Sequence, residues 1–211
     1  MPVLRRVLAA ATLTALAVGC GVALQDPDPG AVAEDDPSTP LASFDTSAVT
    51  VLRTAFCDRV PADAVEEALG AEPEDATEYG NGDRVRLARG VRDVAHEYGC
   101  SWTADGVTAS AWVYAPPVPR STAAKWVRRA RADKGCDQVP GAPPYGAPSV
   151  GLVCTGGRFQ QVSFRGLFGD AWLTCSIRSS RVSAGQSLDE AVDRTGRWCV
   201  AVARAAGSDG A

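Results

Sequence analysis

The sequence predicts an α+β domain: an antiparallel sheet with about three helices packed on one face, stapled by three disulfides. Three observations lead there. Apolar residues recur at helical spacing in three separate stretches. Between those stretches the pattern switches to a period of two, in pairs closed by turn residues, which reads as hairpins rather than βαβ units. Six cysteines fall on these patterns where a helix and a strand can meet.

The first helix is "PADAVEEALG", with Pro61 in its first turn and Gly70 past its end. Ala64, Val65, Ala68 and Leu69 form its apolar face. "EYGCSWTADGVTASAWVY" reads as a hairpin turning at Asp105-Gly106. Residues 121–134 form a second helix capped by Ser121, with Ala123, Trp126, Val127 and Ala130 inward. Two further strands, "RFQQVSF" and "AWLTCSI", are joined by "RGLFGD". In the last helix Ser187 and Glu190 make a capping box, followed by Leu188, Ala191, Val192, Thr195, Trp198, Cys199 and Val202 on one face. Trp172 lies on the side of its strand opposite Cys175, away from that helix.

Seven cysteines is an odd count, and six of them lie between residues 57 and 199. Fifteen pairings of six are conceivable, and local pattern chooses among them. Cys175 and Cys199 both point into one helix-on-sheet interface, so they pair. Cys57 precedes the first helix and Cys100 lies on the hairpin, which gives a second helix-to-strand tie. Cys136 and Cys154 are left to close the Pro/Gly-rich loop between them. No C-x-x-C pair and no four-cysteine zinc spacing occurs.

The seventh, Cys20, belongs to the N-terminus. Arg5 and Arg6 precede an apolar run, Val7 to Val18, which is too short for the ~20 residues a spanning helix needs. Residues 1–19 therefore read as a signal peptide. "AVGC", residues 17–20, resembles the lipobox of bacterial lipoproteins, although Ala17 stands where leucine is usual. The resemblance implies cleavage before Cys20 and acylation there by diacylglyceryl and fatty acyl (palmitate-type) chains. Residues 20–50 follow as a tether, since 21–52 hold six acids, no base, and Pro27, Pro29, Pro37 and Pro40. Loss of 1–19 removes Arg5 and Arg6 and no acid, taking the net charge from −4 to −6. The stapled domain is expected over 51–206 and a flexible tail over 207–211. A negative chain with this arrangement excludes a nucleic-acid binder with a broad basic face.

"FCDRVPADAVEEALG", then "GCSW", then a cysteine-bearing last helix, resembles a family of actinobacterial secreted lipoproteins of unknown function. More distantly it is similar to the extracellular sensor domains of mycobacterial serine/threonine kinases. The resemblance implies a small envelope-exposed α+β domain, and supplies no catalytic residue.

Chemistry is sparse. His96 is the only histidine; with Asp93 and Glu97 nearby it reads as a surface residue rather than a general base. G-x-S-x-G, H-E-x-x-H and a P-loop are absent, and Asn81-Gly82 reads as a turn. "EPED", 72–75, reads as a solvated loop. Two basic stretches, Arg84/Arg86/Arg89/Arg92 and Arg120/Lys125/Arg128/Arg129/Arg131/Lys134, are solvated faces or contacts for an anionic envelope polymer or lipid. Arg128, Arg129, Trp112, Tyr114 and Trp172 are the candidate binding residues. No catalytic residue, metal or cofactor is assigned.

The expectation is a non-enzymatic ligand- or partner-binding domain, sensor-like, lipid-anchored on the extracytoplasmic face of the cell membrane. Its partner would be an anionic polymer, a lipid or a protein. Two other classes stay open: a carboxylate-based envelope hydrolase, which a pocket with two inward acids would favour, and a structural accessory subunit of an envelope complex. Denatured mass spectrometry of protein taken from its own membranes should find the chain starting at Cys20, heavier by acyl groups and lighter by two hydrogens for each bridge. An unmodified Cys20 thiol would make the protein freely secreted.

Overall fold

Each apolar repeat of the sequence becomes an element of the computed structural model, which describes residues 38–88, 91–180 and 186–208. The expected signal peptide, Cys20, Arg89 and residues 209–211 lie outside the described residues. All described residues belong to one compact unit, Asp35–Ala211.

A 3-10 turn at Cys57–Arg59 leads into helix α1, Ala62–Leu69. Pro61 is its N-cap and gives its carbonyl to Val65 N–H, and Gly70 closes it in the left-handed region. Ala64, Val65, Ala68 and Leu69 are its buried face. Strands β1 (Asp75–Tyr79), β2 (Arg84–Ala88) and β3 (Val91–Val94) follow, then β4 (Glu97–Ala104) and β5 (Val107–Tyr114). Asp105 and Gly106 both take positive φ, 49° and 75°, the two-residue geometry that matches strand twist. Helix α2 (Arg120–Arg131), β6 (Cys136–Gln138), β7 (Ser149–Gly156), β8 (Phe159–Phe168), β9 (Ala171–Ser180) and α3 (Leu188–Ala206) complete the order.

Seven strands form one antiparallel sheet in the order β1-β4-β5-β9-β8-β7-β6, while β2 and β3 pair as a separate hairpin. The class is α+β. All three cysteine pairs are bonded: Cys57–Cys100, Cys136–Cys154 and Cys175–Cys199. Cys136 and Cys154 are direct partners across β6 and β7. Cys175 and Cys199 join β9 to α3 at the centre of the larger core.

That core lies between the sheet and α1 with α3. Val113, Leu173, Cys175, Phe164 and Val162 face Trp198, Cys199 and Val202. The capping box at Ser187 and Glu190 fixes where α3 begins. Arg197 of α3 pairs with Glu67 of α1 and with Asp193 one turn back, tying the two helices together. Gly166 of β8 admits the Tyr145 carbonyl to a point 1.4 Å from where a Cβ would stand. This lets the loop after β6 press Tyr145 against Phe164 and Phe168.

Several expectations are corrected. The helices do not share one face: α2 packs on the opposite side of the sheet, its Ala123 and Val127 against Val150, Leu152, Leu167 and Trp172. Central strands of a wide sheet carry apolar residues on both faces, and the second face needs cover too. "APPVP" carries the chain across, held where Val118 N–H donates to the Asp170 carbonyl, 2.8 Å. Ser121 is not the cap of α2, which starts one residue earlier behind Pro119. Leu188 is 42% exposed, at the first position of α3 before its stripe turns inward. "RGLF" extends β8, leaving only Gly169-Asp170 as the turn. Asp75 of "EPED" begins β1 rather than a loop.

Both domain boundaries move outward. Leu41 is buried in a 3-10 turn, Leu41–Ser43, so packing begins about ten residues before residue 51. Val51 bridges Gly207, and Ser208 N–H donates to the Thr50 carbonyl at 3.0 Å, so neither residue is a free tail. Closing the loop between Cys175 and Cys199, 24 residues apart, contributes about 3 kcal/mol through the unfolded chain. Replacing Cys175 and Cys199 by alanine should cost more, about 3–5 kcal/mol, because a cavity opens in the core as well. The same exchange at Cys136 and Cys154, nearer the sheet edge, should cost less in urea titrations; the reverse order would contradict this account of the core.

Candidate functional site

Strand alternation decides which side chains meet under α2. The residues of β9 facing α3 are Leu173, Cys175 and Ile177, so Trp172 and Thr174 face the other way. The same parity turns Trp112 and Tyr114 of β5, Glu97 of β4 and Arg165 of β8 to that side. Helix α2 lies over only part of this face and brings Trp126, Arg129 and Ala130; Asp133 follows its last turn.

Together these residues line a cleft of about 400 Å³. Trp126 is its hinge of contacts: its ring stands edge-on to Tyr114 at 5.6 Å and to Trp172 at 5.3 Å. Such perpendicular pairs contribute about 0.5–1.5 kcal/mol beyond area burial and hold the rings at fixed angles. Trp172 is buried, whereas Trp112, Tyr114 and Trp126 keep part of their surface open.

The charged groups are placed differently from one another. Glu97 Oε1 accepts from the Tyr79 hydroxyl at 2.7 Å. Burial first, and then that carboxylate, push the Tyr79 hydroxyl well above its ordinary range. Asp133 Oδ1 accepts from Gly135 N–H at 3.0 Å. Arg129 is exposed on the helix. Arg165 sits lower, directly opposite Thr174 in the register of β8 and β9, and Thr174 is in turn opposite Trp112. Burial pulls the Arg165 guanidinium below its ordinary value, with the charge of Asp133 opposing. Its Nε is buried with no hydrogen-bond partner among the described residues, as are Thr174 Oγ1 and Ser163 Oγ on the same face.

Of the candidate residues read from sequence, the structure brings Trp112, Tyr114, Trp172 and Arg129 into this one cleft. Arg128, one residue on around the helix, is exposed and does not line it. Trp126 was legible as a core position of its helix, and its second role comes from the rings it meets. Arg165 was missed because "RGLFGD" reads as a turn. Extending the Val162/Phe164 alternation by one residue turns it to the sheet face that carries Trp172.

The remaining candidates stay apart. His96 is exposed just ahead of β4. Arg84, Arg86 and Arg92 are exposed on the β2–β3 hairpin, and the acids of "EPED" are exposed around the start of β1. Among the described residues no group of three or more His, Cys, Asp or Glu is gathered to hold a metal ion. The cleft lining holds aromatic rings, guanidinium groups and carboxylates, and no imidazole, thiol or aliphatic hydroxyl. It offers flat apolar faces with charges at the rim and floor. No protein-family model and no curated protein matches the chain significantly.

Trp172→Ala should destabilise the domain by about 3–5 kcal/mol, because it empties the seat of α2. His96→Ala should stay within about 0.5 kcal/mol of the parent. Thermal unfolding of the two variants checks the ranking, and a destabilising His96→Ala would give that residue a role the geometry does not.

Proposed function

We propose that this protein is a lipid-anchored lipoprotein of the cell envelope whose disulfide-stapled domain binds a small ligand in the cleft beneath α2. The observation that carries the binding half is the ring cluster. Four aromatic side chains from two strands and a helix surround one opening, and three of them keep surface free for a guest. Clustered aromatic faces with a few convergent charged groups are the usual lining of a small-molecule site. Lipid anchoring rests on the basic and apolar run before Cys20 and the small residues adjoining it. No helix among the described residues is long and apolar enough to cross a membrane. Two acyl chains at one cysteine hold a protein to a bilayer where a single chain does so only marginally. Three disulfides fit an oxidising compartment outside the cytoplasm.

A carboxylate hydrolase is the second reading, and the observation favouring it is that Glu97 and Asp133 line the same cleft. Each spends one carboxylate oxygen on a hydrogen bond from the protein, Glu97 Oε1 on the Tyr79 hydroxyl and Asp133 Oδ1 on Gly135 N–H. Under the binding reading, Glu97→Gln and Asp133→Asn alter affinity and abolish no turnover.

Native mass spectrometry of the protein extracted from its own membranes tests the proposal. The wild-type domain should carry a non-covalent companion, and Trp126→Ala should lose it while keeping all three bridges. A bare wild-type domain, or a companion that survives Trp126→Ala, would sink the cleft as the binding site.

A further inference from the structure

Five side-chain polar atoms are buried without a partner among the described residues, and three of them share the sheet face beneath α2: Ser163 Oγ, Arg165 Nε and Thr174 Oγ1. Unsatisfied buried groups are rare in folded proteins because each forfeits its hydration, and a cation forfeits most. The other cleft cation, Arg129, is solvated on the helix. Arg165 has neither water's full access nor a protein acceptor: no hydrogen bond or ion pair joins its guanidinium to a described residue, and Asp133 acts on it only through space. Its place is at the floor, with Thr174 between it and Trp112, and it lines the same cleft as Trp126 and Trp172.

A guanidinium fork held beside apolar rings complements one kind of guest. Its planar donors match the two oxygens of a carboxylate or phosphate, and a partly desolvated site strengthens that charge-assisted pairing. The rings match an apolar body attached to it. We infer that the cleft takes an amphiphilic anion, with its carboxylate or phosphate head on Arg165 and its apolar body against the open faces of Trp112, Tyr114 and Trp126. This rests on the cleft being the binding site. A neutral guest would leave the half-buried cation without a counter-charge. An inorganic anion would leave the rings unused. Arg165 is then a ligand-binding residue that the fold holds at a cost to its own stability, as sites selected for function often are.

The five tryptophans of the chain supply the readout. Trp112, Trp126 and Trp172 line the cleft, whereas Trp102 and Trp198 stack edge-on in the other layer, 5.5 Å apart. In the full chain with ¹⁵N-labelled indoles, four probes are titrated: 1-naphthyl phosphate, 1-naphthoate, 1-naphthol and 1-naphthyl glucoside. The anions should shift the three cleft indoles, leave the other two still, and bind at least about tenfold tighter than the neutral probes. The tighter of the two anions identifies the head group. Arg165→Met should erase the advantage of the anions, keep the affinity for 1-naphthol, and leave the unfolding midpoint unchanged or raised. Neutral probes that match the anions, an advantage that persists in Arg165→Met, or a lowered midpoint would overturn the anion reading while leaving the cleft as a binding site. Cleft indoles that respond to no probe would overturn both.

Discussion

Strand β9 is buried on both sides, and most of the molecule follows from how its two faces are covered. Its odd-numbered residues face α3, where Cys175 is bonded to Cys199. Its even-numbered residues face α2, where Trp172 is the largest group. A side chain in a strand has only two directions to take, so a period of two fixes this division rigidly. β5 and β8 flank β9 in the sheet and repeat the division: Val113 and Phe164 on one side, Trp112 and Arg165 on the other. A one-residue slip of β9 would put Cys175 beneath α2, out of reach of Cys199. The bridge and the two-layer cover thus specify the same register.

The two layers are finished to different degrees. The α3 layer is closed: long helix, capping box, disulfide, and Trp198 fully enclosed with its Nε1 donating to the Ser110 carbonyl at 3.2 Å. The α2 layer is short and incomplete. Its helix is basic and exposed along its outer side, with Ala123 and Val127 as its only fully buried residues. What it leaves uncovered is the aromatic cleft. The rigid layer holds the sheet, and the sheet presents rings and charges at fixed positions to the open one. This is the arrangement by which a small domain can be firm in its core and still carry an unsatisfied group at its surface.

The ends of the domain are fastened to α3 by backbone and side chains alike: Arg204 donates to Thr39 Oγ1 and lies over the Phe44 ring. Leu52 N–H donates to the Ala206 carbonyl and Ser208 N–H to the Thr50 carbonyl, so the chain enters and leaves the fold at one place, beside the end of α3. Leu41 then packs near Gly196 of the same helix. Acidic, proline-rich composition ahead of these residues gave no hint of this packing. Leu41 and Val51 stand in apolar runs too short to show a period, and packing beside α3 makes them core.

Local pattern determined much of this protein. Helical spacing gave α1 with its buried face and α3 with Thr195, Trp198, Cys199 and Val202 inward; turn chemistry gave Asp105-Gly106; and the parity of Cys175 against the helical phase of Cys199 gave a bridge that the structure contains. These are properties of neighbours in the chain, fixed by backbone geometry within a turn or a pleat. The short edge strands β1 and β6 were illegible, since exposed polar segments such as "DATEY" and "CDQ" become strands only when a partner strand offers its hydrogen bonds. The side on which α2 packs was equally beyond local reading, because a helix has no preference between two apolar faces until the connection reaching it is in place. The cleft belongs to that same class. Trp112, Tyr114, Trp172 and Arg129 were each visible as unusual residues, but Arg165 and the meeting of all five needed the sheet, which sets side by side members of this group up to 60 positions apart in the chain.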